Sequence, residues 1–150
     1  MNVKPEDTIG YWIASTHRSI NAALSDVLQT YCQEQGKPYE ITIPQWGALY
    51  QILVSDGLNI GTISQRRNID ASAVTNVIGR LEQYGLVERL HDRQDRRVVK
   101  VYLTDEGREL MRVLPDIVEA FYEKLIRDIP EEELQGVQAV LQKLIANVSP

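Results

Sequence analysis

Residues 69–107 read IDASAVTNVIGRLEQYGLVERLHDRQDRRVVKVYLTDEG. Val74, Val77, Ile78 and Leu81 recur at helical spacing, with Ala73, Thr75, Asn76, Arg80 and Gln83 on or near the opposite side. This spacing predicts a helix over Ala71–Tyr84. Asp70 is expected to cap it by accepting from the first free backbone amides, and Gly85 to close its C-terminus. Val87–Leu90 and Val98–Leu103 read as strands, the second alternating Val99, Val101 and Leu103 against Val98, Lys100 and Tyr102. Between them lies a charged hairpin tip, His91 to Arg97. Thr104 then caps another helix, with Asp105 and Glu106 at its positive end. That helix is expected to run to about Asp128.

Outward from this stretch the pattern is helical. A first helix is expected from Pro5 to Gln35, ended by Gly36-Lys37-Pro38. A second opens at Thr42-Ile43-Pro44, where proline is tolerated in the first turn. Ser55-Asp56-Gly57 is a turn cluster, and a short third helix spans about Ile60 to Asn68. A last helix begins at Pro130 with Glu131, Glu132 and Glu133 in its first turn. The fold class is therefore mainly α with a small β-hairpin wing: one winged helix-turn-helix domain with helical dimerisation arms. The lobe is expected over 42–103, and the arms over 1–36 and 104–150.

Composition narrows the function. The chain has 150 residues, 43% hydrophobic and 25% charged, as in ordinary soluble proteins. No run of about 18 apolar residues is present, and the first ten residues lack the apolar run of a signal peptide, so a cytoplasmic location without membrane contact is expected. One cysteine and two histidines leave little for a metal site or a cofactor, and none is expected. No nucleophile elbow, phosphate loop or zinc-ligand pair occurs, so catalysis is not expected. The net charge of -5 argues at first against nucleic acid. Its distribution argues the other way: residues 60–103 hold eight Lys/Arg against five Asp/Glu, and the rest eight against sixteen.

A helix of this width fits the major groove, with small and polar side chains near its N-terminus reaching base edges. Ser72, Ala73, Thr75 and Asn76 meet that description, and Arg80 lies one turn on. Arg93, Arg96 and Arg97 at the hairpin tip suit a narrow minor groove, where negative potential is focused. Asp92 and Asp95 make sense if they pair with neighbouring arginines and aim them. A charged tip is also commonly just solvated, and a winged-helix interaction module without DNA binding is the alternative reading.

The same stretch resembles the multiple antibiotic resistance regulator (MarR) family. The match lies in the Leu-x-x-x-Gly-Leu-Val-x-Arg passage (Leu81, Gly85, Leu86, Val87, Arg89), the Asp-x-Arg tip (Asp95, Arg97) and the Leu-Thr-x-x-Gly start of the next helix. The resemblance implies a homodimer on a pseudo-palindromic site in double-stranded DNA, probing the minor groove with Arg97 while Asp95 orients it. It implies a repressor, released by a small aromatic or phenolic effector. His17, Trp46 and Tyr50 are the candidates for lining an effector cavity, with Tyr11 and Trp12 nearby on the first helix. The competing reading makes Trp46 and Tyr50 core aromatics and His17 a surface or interface residue. Two positions depart from the family. Arg67 stands where an apolar residue is usual, and Asn68 replaces a frequent glycine. Arg67 is expected to snorkel toward surface and phosphate, or else the local packing differs. Cys32, near the end of the first helix, is expected to be a buried small hydrophobe, not a redox switch.

Overall fold

Four helices of this chain start where a side-chain oxygen takes a backbone amide one turn on. Thr8 accepts from Tyr11 N at 3.2 Å and starts α1 (Ile9–Glu34). Thr42 and Gln45 form a reciprocal capping box at the head of α2 (Ile43–Val54). After a two-residue strand β1 (Leu58–Asn59), Asn59 accepts from Thr62 N at 2.7 Å and opens α3 (Ile60–Arg67). The computed structural model describes residues 4–150. The expected N-terminal arm starts at residue 1, so its first three residues lie outside the described ones.

Asn68 ends α3 in the left-handed region (φ 51°), the conformation for which asparagine is the common substitute for glycine. α4 (Ala71–Gln83) follows. Asp70 is its N-cap residue, but its carboxylate makes no capping hydrogen bond, contrary to expectation. Its extended backbone (ψ 141°) sets the helix entry without the side chain. At the other end Gly85 (φ 73°) closes α4: Leu86 N donates to Leu81 O and Gly85 N to Glu82 O.

β2 (Val87–His91) and β3 (Val99–Leu103) pair antiparallel from Val87 opposite Leu103 to His91 opposite Val99. β1 adds to the far side of β3, with Leu58 opposite Val101, so the sheet order is β1-β3-β2. The Ser55-Asp56-Gly57 cluster thus delivers a third strand, too short to show any periodicity. Asp56 fixes it by accepting from Leu103 N and pairing with Arg108 at 2.6 Å.

α5 (Asp105–Met111) ends early, and α6 (Leu114–Leu125) begins after a turn at Arg112-Val113. The single helix expected from Thr104 to Asp128 is therefore interrupted. Pro115 is the physical reason: it has no N–H to donate, and its ring would crowd the carbonyl four residues back. α7 (Glu131–Val148) starts from Pro130 as expected. Likewise α1 begins at Ile9, after a separate 3-10 turn at Pro5–Asp7.

The chain forms two units, the first up to Val118 and the second from Glu119 to Pro150. The core of the first is built from Leu28, Ile41, Leu49, Ile52, Ile63, Val74, Ile78, Leu81, Leu86, Val101 and Leu110, all sealed from water. Each contributes on the order of 1.5–3 kcal/mol by burial. Cys32 joins this core, and burial pushes its thiol pKa up. In the second unit α7 buries none of its residues.

The joint between sheet and α5 is tight. Thr104 Oγ1 accepts from Gly107 N at 3.1 Å and donates to Gly85 O, while Thr104 N donates to Leu86 O at 3.1 Å. A Cβ on Gly107 would lie 2.0 Å from Leu86 O. Gly107→Ala should therefore destabilise the chain by at least about 1–3 kcal/mol. Gly136→Ala, in open space on α7, should instead add up to about 1 kcal/mol. Thermal melting of the two variants, at about 2–4 °C per kcal/mol for this chain length, checks both.

Candidate nucleic-acid interface

α4 buries Val74, Ile78 and Leu81 and leaves Ser72, Ala73, Thr75, Asn76 and Arg80 exposed. The sequence-predicted reading face is thus on one surface of one helix. Thr75 Oγ1 donates to Ala71 O at 2.8 Å, so its proton is engaged within the helix. Arg80 reaches Gln83 at 3.4 Å.

The hairpin tip is organised by two carboxylates. Asp95 accepts from Arg97 N at 3.0 Å, and its two oxygens take Arg97 Nε at 3.0 Å and Nη2 at 3.1 Å. This fork holds the planar guanidinium in one orientation on a side chain that is 91% exposed. The expected pairing of Asp95 with Arg97 is present. Asp92 differs: its partner is Lys100, not an arginine. Its Oδ1 also accepts from Gln94 N at 2.8 Å and Asp95 N at 3.1 Å. Lys100 foremost, with those two amides, lowers the Asp92 pKa to about 2, and the Arg97 fork lowers that of Asp95. His91 Nδ1 donates to Arg96 O at 2.8 Å. Among the described residues no ion pair holds Arg93 or Arg96, so both are exposed and uncompensated.

Two further arginines are less free than their sequence positions suggest. Arg89 pairs with Glu82 at 3.2 Å, its guanidinium beside Gly79 of α4. Arg67 is half-buried across α2: its Nη1 lies 1.5 Å from where a Gly47 Cβ would sit, and its Nε is buried without a partner. The expectation that Arg67 reaches outward gives way to altered packing, which Gly47 permits by lacking a side chain. No local signal links positions 47 and 67.

Trp46 and Tyr50 stack at a tilt, 5.5 Å between ring centroids, with Trp46 half-buried and Tyr50 44% exposed. Neither is sealed in the core. His17 is exposed on α1, with its Nε2 2.9 Å from Asn21 Nδ2. Tyr11 and Trp12 pack edge to face at 5.6 Å, also exposed.

A short helix, a left-handed turn, a helix with a polar outer face and a hairpin tipped by arginines together make a winged helix-turn-helix, the DNA-binding class of transcription regulator. Comparison with known proteins agrees. The profile of the MarR family matches residues 41–99. The repressor MdtR of Bacillus subtilis is 30% identical over 122 residues, covering 81% of this chain and 79% of MdtR. The regulator TtmR of Methylorubrum extorquens is 39% identical over 83 residues, 53% of this chain but only 43% of that longer protein. The crystal structure of the PcaV regulator of Streptomyces coelicolor with its natural ligand superposes with a TM-score of 0.80 at 23% identity, over 100% of this chain and 99% of PcaV. The chain belongs to the MarR family: it is a regulator of transcription and not an enzyme. Among the described residues no helix is long and apolar enough to cross a membrane.

Two predictions follow from this geometry. The Asp92 and Asp95 carboxylates hold pKa values below the ordinary 3.8. Depressed values mean their contribution to tip order is present above the ordinary carboxylate value and is lost as pH falls through the folded-state value, about 2 for Asp92. Amide resonances of Gln94 and Asp95, which Asp92 holds, should keep their native shifts until the pH nears 2, and that of Arg97, held by Asp95, should move only below the ordinary carboxylate value; titration of the first two at the ordinary value would contradict the Asp92 turn, and of the third the fork. Secondly, Gly47→Ala must evict the Arg67 guanidinium, costing about 1–3 kcal/mol. In an Arg67→Ala background the same change should become stabilising by up to about 1 kcal/mol, the helix-propensity gain, in denaturant melts.

Proposed function

We propose that the chain is a homodimeric repressor that binds a pseudo-palindromic operator, with Ser72, Ala73, Thr75, Asn76 and Arg80 in the major groove and the tip arginines in the minor groove. The observation that carries this reading is Arg97, 91% exposed and held by the Asp95 fork beside Arg93 and Arg96, which have no ion-pair partner among the described residues. A solvated tip without a nucleic-acid role has no need of a pre-oriented guanidinium. Two reading helices of a dimer then address half-sites one helical turn apart, about 34–36 Å.

The homodimer is supported by apolar surface with no cover in the single chain. On α1 this comprises Ile9, Tyr11, Trp12 and Ile13, and on α7 Val137, Val140, Leu141, Ile145 and Val148. Surfaces of this kind mark association, and a two-fold pairing is the usual solution. The lobe over 42–103 reads DNA, and the arms over 1–36 and 104–150 supply this contact. A small aromatic or phenolic effector on the open Trp46–Tyr50 face, with His17 as a polar contributor, releases the operator. PcaV, crystallised with its natural ligand, supports such a ligand site in this architecture. A coupling of about 1–3 kcal/mol is enough to shift occupancy 5- to 150-fold.

The test is binding to DNA from upstream of the chain's own gene, titrated across salt against a scrambled duplex. Tight, selective binding with a steep salt slope is expected. Arg97→Ala should weaken it by about 1–3 kcal/mol and lower the salt slope by about one. Equal affinity of wild type and Arg97→Ala would sink the docking arrangement.

A further inference from the structure

The hairpin tip contains five side-chain cations or their flanking neighbours, and the structure sorts them into two kinds. Arg93 and Arg96 carry no counter-ion among the described residues, and Arg97 is presented outward on the Asp95 fork. Arg89 and Lys100, at the two strands that feed the tip, are instead engaged by Glu82 and Asp92. Asp92 does more than neutralise a lysine. One of its oxygens accepts from the amides of Gln94 and Asp95, and the other meets Lys100 across the hairpin. Its own N–H donates to Val98 O at 2.9 Å, and Val98 N donates to Asp95 O at 2.9 Å. The carboxylate is only 18% exposed, against 43% for Asp95.

These bonds form a chain of dependence. The amide of Asp95 is held by Asp92, the carbonyl of Asp95 by Val98, and the carboxylate of Asp95 then holds Arg97. Without Asp92, the turn from residue 92 to 95 loses the one side-chain oxygen that takes two of its amides, and the fork that aims Arg97 loses its base.

We infer that Asp92 is the positioning residue of the wing, acting on DNA only through the Asp95–Arg97 fork, and that Lys100 serves as its anchor and not as a phosphate contact. This rests on the DNA reading above. It assigns distinct roles to residues of like charge: Arg93, Arg96 and Arg97 face the nucleic acid, while Lys100 and Asp92 shape the backbone that carries them. Asparagine keeps the oxygen that accepts from Gln94 and Asp95, so it preserves the turn where alanine does not.

The experiment is a double-mutant cycle on Asp92 and Arg97, read as affinity for a duplex enriched from a random library by the wild-type chain, with a scrambled duplex alongside. Asp92→Ala should lower affinity about tenfold and erode selectivity to the same degree as Arg97→Ala. Added to Arg97→Ala, it should cost less than about twofold more, since the two act as a unit. Asp92→Asn should restore most of the loss. Lys100→Gln should leave the salt slope unchanged, whereas a phosphate contact would lower it by about one. Circular dichroism melts of each variant verify that the lobe stays folded. An additive cycle, in which Asp92→Ala costs its full factor without Arg97, would overturn the positioning role. A drop in slope for Lys100→Gln that persists in the Arg97→Ala background would overturn the anchor role. Enrichment of no duplex by the wild type would overturn the DNA reading itself, a result distinct from either.

Discussion

The carbonyl of Leu86 is the point at which the lobe is tied together. It accepts from Thr104 N, and Gly107 packs so close that any side chain there would collide with it. Leu86 stands between the left-handed Gly85 that closes the reading helix and the strand that begins the wing. Thr104 stands between the end of the wing and the start of α5. This bond therefore lies where α4 stops, where β2 begins and β3 ends, and where α5 departs. The Leu-Thr-x-x-Gly spacing is the sequence requirement of this joint: a hydroxyl that caps a helix, and a residue without Cβ one turn later.

Electrostatics follow a similar logic of support. The chain is acidic overall, yet its basic residues gather in the segment from α3 through β3. Carboxylates within that segment do not cancel the positive face. Glu82 and Asp92 engage cations that lie off the tip, while Asp95 fixes one that lies on it. Acid at the hairpin tip is thus a means of ordering arginine, because a carboxylate matches the planar donor pair of a guanidinium. Lys37 with Glu106 and Arg108 with Asp56 tie α5 to loops distant in sequence. The Lys37–Glu106 bond lowers the Glu106 pKa.

Arg67 shows a different compromise. A guanidinium resting on α2 demands a glycine beneath it, and Gly47 meets that demand. Burial of its Nε without a partner is unfavourable, so packing of the long stem against the lobe must offset it. Tyr39 stacked on Tyr84 at 5.2 Å is a second contact across the lobe with no short-range cause. Burial first, then the nearby Glu106 charge, raises the Tyr39 pKa.

What the sequence by itself determined was the set of local elements and their order. The inward face of α4, the Gly85 closure, the two wing strands, the Thr104 cap and the exposed tip arginines all arise from periodicity or from interactions a few residues apart, and these are legible along the chain. Pro115, which separates α5 from α6, is a local signal of the same kind, since it lacks an N–H to continue the helix. Only the tertiary structure decided the rest: the third strand at Leu58–Asn59, the idle carboxylate of Asp70, the choice of Lys100 as partner for Asp92, and the seat of Arg67 on Gly47. A two-residue strand has no period of its own and exists because β3 offers it a free edge. A charged side chain selects among several opposite charges by distance in space, which the spacing of residues along a chain does not record.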